Sequence, residues 1–148
     1  MTAATEKASE KARVMERALR EAGVRITRQR LALLDVLAAA ADHPDAIELH
    51  QRAQAVKAGV SLSTVYRTLS ELQAKGVIQR HAFEGASARF ETAGGAHHDH
   101  MIDVETGKVI EFRSEKIERL QDRIAADLGY EIVHHRMELY VRKRRDPG

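Results

Sequence analysis

A change of pattern at Thr92-Ala93-Gly94-Gly95-Ala96 constrains the fold of this chain more than any other feature. Before these small residues the apolar spacing is mostly helical. After them it alternates as in strands, with one further helix. Two adjacent glycines among small neighbours make a joint rather than a continuous element. The expectation is therefore a domain over residues 1–92, a hinge at 93–96 and a second domain over 97–148. With 148 residues and a 43% hydrophobic share, the chain has enough apolar material for a real core.

The first part reads as four helices and a hairpin. Residues 6–22 carry Ala8, Ala12, Met15, Ala18, Leu19 and Ala22 near helical spacing, and Gly23 is placed to stop the helix. Thr27 caps a second helix over 28–41, with Leu31, Leu34 and Leu37 along one stripe. Asp45-Ala46-Ile47-Glu48 has capping-box spacing, with Asp in place of Ser or Thr, and opens a third helix to about Lys57. Gly59-Val60 makes a turn, Ser61 caps a fourth helix over 62–75, and Gly76 ends it. Residues 77–83 and 89–91 then bracket Glu84-Gly85-Ala86-Ser87 as a β-hairpin. Helix, turn, helix and hairpin outline a winged helix-turn-helix.

The fourth helix separates into two faces. At 100° per residue Leu62, Val65, Leu69 and Leu72 fall in a narrow arc. Arg67 lies nearly opposite, with Ser63, Thr64 and Ser70 beside it and Tyr66 on the flank. On an isolated helix such a face is more often merely solvated. After a short glycine turn and before a hairpin it suits double-stranded DNA, because Arg bonds guanine bidentately and hydroxyls bond phosphates. Arg25, Arg28 and Arg30 flank the second helix and are candidates for phosphate or minor-groove contacts. Residues 1–92 hold 14 Lys+Arg against 11 Asp+Glu, and the rest 10 against 11, so charge leans weakly the same way.

The second part opens on His97-His98-Asp99-His100, four consecutive groups able to bind metal in a chain with no cysteine. His-rich runs are often solvated loops or tag remnants, but this one is internal and Met101-Ile102-Asp103-Val104 continues it as an alternating strand. In a strand, His98 and His100 share one face, and His97 and Asp99 share the other. A turn at Glu105-Thr106-Gly107 leads to a strand over 108–112. Ser114 caps a helix over 115–128 with Ile117, Leu120, Ile124 and Leu128 as its stripe. Gly129 stops it, and a strand over 130–142 follows, with Val133, His135, Met137, Leu139 and Val141 on one face. About 50 residues cannot easily bury all of this alone, so a homodimer is expected. Of the remaining histidines, His50 reads as solvent-exposed, His81 as a wing residue near phosphate or hinge, and His134 as facing opposite His135; none is assigned as a ligand.

Composition excludes several classes. The absence of cysteine excludes disulfides and thiolate zinc sites. No run of 18 apolar residues is present, so no membrane span is expected. The charged N-terminus lacks a signal-peptide core, which points to the cytoplasm. Aromatics reach only 4%, sparse for a small organic substrate.

Four segments together resemble the Fur family of metal-dependent bacterial repressors. They are residues 23–30, Ser61-Leu62-Ser63-Thr64-Val65-Tyr66-Arg67-Thr68-Leu69, His97-His98-Asp99-His100, and Gly107-Lys108-Val109-Ile110-Glu111-Phe112. The resemblance runs from about Ala18 to Val141 and is most like the cysteine-free alphaproteobacterial branch of iron- and manganese-responsive members. It implies an α+β chain: an N-terminal winged-helix DNA-binding domain, and a small C-terminal α/β dimerisation domain. It implies a regulatory metal site at His43, Glu91, His98, His100 and Glu111, and a second, weaker site at His97, Asp99, Glu118 and His135. Such ligands suit Fe²⁺ or Mn²⁺, with Zn²⁺ able to substitute. DNA contacts fall to Arg25, Arg30, Ser63, Thr64, Tyr66 and Arg67. The implied function is repression at a palindromic operator, controlling iron or manganese homeostasis.

The departures matter too. Many members hold a structural zinc with two CxxC pairs; here Asp103 and Thr106 stand at the first pair, so that four-cysteine zinc site is missing. Peroxide sensors of the family carry Asp where Glu91 stands, and heme-responsive members carry a longer His run; both remain alternatives. A metal-binding enzyme is a further alternative, but no separate nucleophile or glycine-rich phosphate loop is evident. A metal buffer would not need the winged-helix outline.

Overall fold

The computed structural model describes residues 2–93 and 98–145. The chain divides into two compact units, Met1–Gly95 and Ala96–Gly148. Most of the expected hinge, residues 94–96, lies outside the described residues, as does His97.

The first unit contains α1 (Ala3–Glu21), α2 (Arg28–Ala39), α3 (Ala46–Val56), α4 (Leu62–Ala74), β1 (Ile78–His81) and β2 (Arg89–Thr92). Its helices begin where side chains satisfy the first backbone N–H groups. Thr27, Asp45 and Ser61 each accept from the N–H three residues on, at Arg30, Glu48 and Thr64. Gly23 ends α1 at φ +76°, with Val24 N donating to Leu19 O and Gly23 N to Arg20 O. That paired closure needs a left-handed residue, which glycine supplies without a Cβ clash. Val24 and Leu19 are both buried there, so the turn also seals the core.

One cluster joins these elements: Met15 and Leu19 of α1, Leu33, Leu34 and Leu37 of α2, Leu49 and Ala53 of α3, and Val65, Leu69 and Leu72 of α4, with Ile78 and Phe90 from the hairpin. The buried face of α2 differs from the expected stripe. Leu33 is fully buried and Leu31 is exposed. The reason is position: α2 touches α1, α3, α4 and β2, so it buries a wide arc that no single stripe describes.

The second unit contains β3 (Asp99–Asp103), β4 (Val109–Phe112), α5 (Glu115–Asp127) and β5 (Glu138–Val141). The sheet order is β4-β3-β5, antiparallel between β3 and β4 and parallel between β3 and β5. Ser114 caps α5 by accepting from Ile117 N. The last strand is much shorter than the expected 130–142. β3 offers only five residues for pairing, and its register with β5 starts at His100↔Glu138. Among the described residues, no neighbouring strand completes a ladder with 130–137, so their alternation does not make a sheet. Val133 is correspondingly 98% exposed, not on a shared buried face.

The turn at Asp103 shows what holds this region in a cysteine-free chain. Asp103 Oδ1 accepts from Glu105 N at 2.9 Å and Thr106 N at 3.3 Å, and Thr106 Oγ1 accepts from Lys108 N at 3.2 Å. The bonds from Glu105 and Thr106, led by that from Glu105, hold the Asp103 carboxyl below the usual aspartate range. An aspartate-and-threonine turn thus closes the β3–β4 connection with hydrogen bonds.

Candidate metal centre and nucleic-acid interface

In the first unit, His43 and Glu91 are 48 positions apart and are brought together by backbone pairing. Phe90 N donates to Pro44 O at 2.9 Å, and Asp45 bridges to Arg89 in antiparallel fashion. Arg89 Nη1 donates to His43 O at 2.8 Å, and Ser87 Oγ donates to the Asp45 carboxylate at 2.8 Å. The segment before α3 is therefore stitched to β2. As a result His43 Nε2 lies 3.0 Å from Glu91 Oε2, with both side chains largely buried.

A third group joins them. His81 Nε2 lies 2.7 Å from Glu91 Oε1, and its ring stacks on Phe83. Burial is the largest influence on Glu91 and works against its charge. The hydrogen bonds from His43 and His81, with their positive field, outweigh it and hold the carboxyl well below the usual range. Sequence reasoning places His81 in the wing and misses this pairing. The available signal is its place in the hairpin: Gln79 pairs with Glu91, which makes His81 the diagonal neighbour of Glu91.

In the second unit, His98, His100 and Glu111 form a separate group. His100 and Glu111 are direct partners across β3 and β4. His98 Nε2 lies 3.3 Å from Glu111 Oε1, and the His98 and His100 rings stand edge to face at 4.9 Å. Asp99 points the other way, as the strand pleat requires. His135 Nε2 lies 3.4 Å from Asp99 Oδ1 and 3.6 Å from Glu118 Oε1. Asp99 is 1% exposed. His100 N donates to Met137 O, which draws the segment before β5 alongside β3 and brings His135 to Asp99. His135 thus sits in irregular chain, not on a strand face. His97, the fourth expected member, lies outside the described residues.

The donor chemistry of these groups fits a divalent ion of intermediate character: imidazole and carboxylate, no thiolate. Asp99, Glu118 and His135 each offer an atom within 4.8 Å of the others, and two carboxylates converging so closely form a natural place for a cation.

The two faces of α4 follow the helical wheel, with Leu62 only half-buried. Val65, Leu69 and Leu72 are buried, and Ser63, Tyr66, Arg67 and Ser70 are turned outward, with Thr64 intermediate. Thr68 is buried too: its hydroxyl donates to Thr64 O and accepts from Arg30 Nε at 3.2 Å. Arg30 also donates to Arg25 O at 2.9 Å. Its Nε therefore ties the start of α2 to α4 and its Nη1 ties it to the preceding loop; Arg30 is half-buried and Arg25 is exposed. His50 departs from expectation. Its Nε2 is 2.7 Å from Val60 O, so it fastens the turn between α3 and α4.

A family model described as the ferric uptake regulator family matches residues 21–140. The "Ferric uptake regulation protein" of Brucella abortus is 57% identical over 128 residues, covering 86% of this chain and 91% of that protein. Among solved structures, a zinc-bound manganese uptake regulator shares 46% identity at a TM-score of 0.76, covering 88% of this chain and 98% of the other. A ferric uptake regulator from Pseudomonas aeruginosa with manganese shares 39% identity at a TM-score of 0.72, covering 89% and 99%.

Proposed function

From the premise that this chain belongs to the ferric uptake regulator family, we propose that it represses transcription as a homodimer on a near-palindromic operator when Fe²⁺ or Mn²⁺ is bound. It is a metal-responsive transcriptional regulator of iron or manganese homeostasis, not an enzyme. The regulatory ligands are His43 and Glu91 from the first unit with His98, His100 and Glu111 from the second. The observation that carries this reading is the presence of two ready-made imidazole–carboxylate pairs, His43–Glu91 and His98–Glu111, one in each unit. Neither pair alone fills the shell of a five- or six-coordinate ion; with His100 added, the two together supply five ligands.

When bound, the metal supplies the link between the two ligand sets. His43 and Glu91 report on the DNA-reading unit, and His98, His100 and Glu111 on the dimerising unit. Whichever arrangement lets both sets converge is favoured by its higher metal affinity, and that preference sets the population shift. By linkage, operator DNA tightens metal binding by the same factor that metal tightens DNA binding. Zn²⁺ competes in vitro, as the Irving–Williams order requires. Asp99, Glu118 and His135, with His97, form a second and weaker metal site.

Arg67 reads a base edge, and Ser63, Thr64, Tyr66, Arg25 and Arg30 meet phosphate or sugar. Two recognition helices related by two-fold symmetry call for a palindromic operator. Among the described residues no helix is long and apolar enough to cross a membrane. Action on the chromosome implies a cytoplasmic protein.

The test is DNA binding at buffered free Mn²⁺, or anaerobically at buffered Fe²⁺. It compares a palindromic duplex obtained by selection with a scrambled one. Sequence preference should emerge only with metal, and His98→Ala should abolish that response while the variant stays folded. A His98→Ala protein with the full Mn²⁺ response would remove the site assignment.

A further inference from the structure

His81 is the buried imidazole of the first unit that the proposed ligand set leaves unused. It is 8% exposed, and its ring is fixed on two sides. It lies parallel to Phe83 at a centroid distance of 5.6 Å and edge-on to His43 at 6.0 Å. Glu91 is gripped at both oxygens by different rings: Oε1 at 2.7 Å from His81 Nε2, and Oε2 at 3.0 Å from His43 Nε2. An ionised carboxylate only accepts, so His81 Nε2 carries the hydrogen and donates it.

We propose that His81 is a positioning residue that makes Glu91 a one-oxygen ligand and thereby tunes which divalent ions the site accepts. The inference rests on the reading of Glu91 as a metal ligand. With Oε1 held by His81, only Oε2, the oxygen beside His43, is offered to an ion. One-oxygen ligation keeps the coordination number low, which suits Mn²⁺ and Fe²⁺. Chelation through both oxygens is a habit of Ca²⁺, which takes six to eight oxygen ligands. Without the His81 donor, the Glu91 carboxylate is released to rotate and chelate. Affinity for the smaller ions falls, and discrimination against Ca²⁺ falls with it. Hydrogen-bond partners of metal ligands commonly act at this scale in other sites.

The competing role for His81 is packing of the hairpin, and two substitutions separate the roles. His81→Phe keeps a flat ring on Phe83 and deletes the donor. His81→Gln deletes the ring and restores an N–H near the same place. In the full chain, Mn²⁺ binding is followed by calorimetry with Ca²⁺ as competitor. The electron paramagnetic resonance spectrum of bound Mn²⁺ and the melting temperature of the metal-free protein are recorded alongside.

For His81→Phe, Mn²⁺ affinity should drop roughly 10- to 100-fold, Ca²⁺ should compete more strongly, and the Mn²⁺ spectrum should change. His81→Gln should recover most of the affinity. If Phe misfolds, the gain or loss shown by the Gln variant decides alone: near-native affinity without the ring supports the donor role, and a loss of 10-fold or more overturns it. A folded His81→Phe protein with native Mn²⁺ affinity and spectrum also overturns it. Glu91→Gln is the separate control. Native Mn²⁺ binding in that variant removes Glu91 from the ligand set, whatever His81 does.

Discussion

The two units bury their apolar residues in opposite ways. In the first, α1 to α4 and the hairpin share one cluster in which Leu19, Leu33, Leu49, Val65 and Leu72 are fully buried. In the second, Ile102 is the only buried hydrophobic residue among the described ones, and α5 buries none. Leu120 and Ile124 on α5, and Leu128 at its C-cap, are 56%, 51% and 71% exposed. The helical stripe is as clear in α5 as in α4, so amphipathicity alone does not decide burial. The first unit closes on itself. The second displays an apolar helical face, the kind of surface that marks an interface. In the homodimer proposed above, a second copy of the chain covers this face, since a two-fold axis lets one face serve both sides.

The sharpest way to break this contrast is to cut the same residue type in each unit. Leu49→Ala should cost ~2–5 kcal/mol of unfolding free energy at any protein concentration, measured by urea denaturation. Leu120→Glu with Ile124→Glu should instead turn the proposed dimer into monomer by sedimentation, making stability depend on concentration where it survives. A double variant that sediments as the native protein does would show that α5 is not the interface.

Smaller effects test how each unit does its work. Arg67→Ala should weaken operator binding by ~1–3 kcal/mol and relax base preference, as read by fluorescence anisotropy on single-base operator variants. A loss spread evenly over all sequences would make Arg67 a phosphate contact. In the second unit, the Asp103 carboxyl has its pKa lowered by backbone donors. The stability it adds is present above the ordinary aspartate value of 3.8 and is lost as pH falls through the lower folded value. Asp103→Asn should therefore lower stability at neutral pH and flatten the acid limb of the stability curve. An unchanged limb would show that the turn is held by its other bonds.

The smallest change belongs to the first unit's surface. Arg52 meets Asp42 through two bonds, at 2.9 Å and 2.6 Å, and that pairing lowers the Asp42 pKa. The pair is largely exposed, so Asp42→Asn should cost only ~0–1 kcal/mol, and less in high salt.

Neighbouring residues made most of the fold legible. The caps at Thr27, Asp45, Ser61 and Ser114, the glycine stop at Gly23 and the hairpin at 84–87 depend on groups three or four positions apart. The strand pleat likewise separates His98 and His100 from Asp99 by simple alternation. The sequence alone also supplied the donor types, because imidazole and carboxylate without thiolate narrow the ion before any geometry is known.

Tertiary structure decided what depends on distant backbone finding partners. The pairing of residues 43–45 with 89–90 delivers His43 to Glu91, and nothing local announces it. His81 became a partner of Glu91 through hairpin register, and Arg30 became a strut because Thr68 faces it. The alternation in 130–137 stayed outside the sheet because the register with β3 begins only at Glu138. A side chain carries its chemistry in the sequence, but which group it meets is settled only when hydrogen bonds across long separations fix one backbone against another.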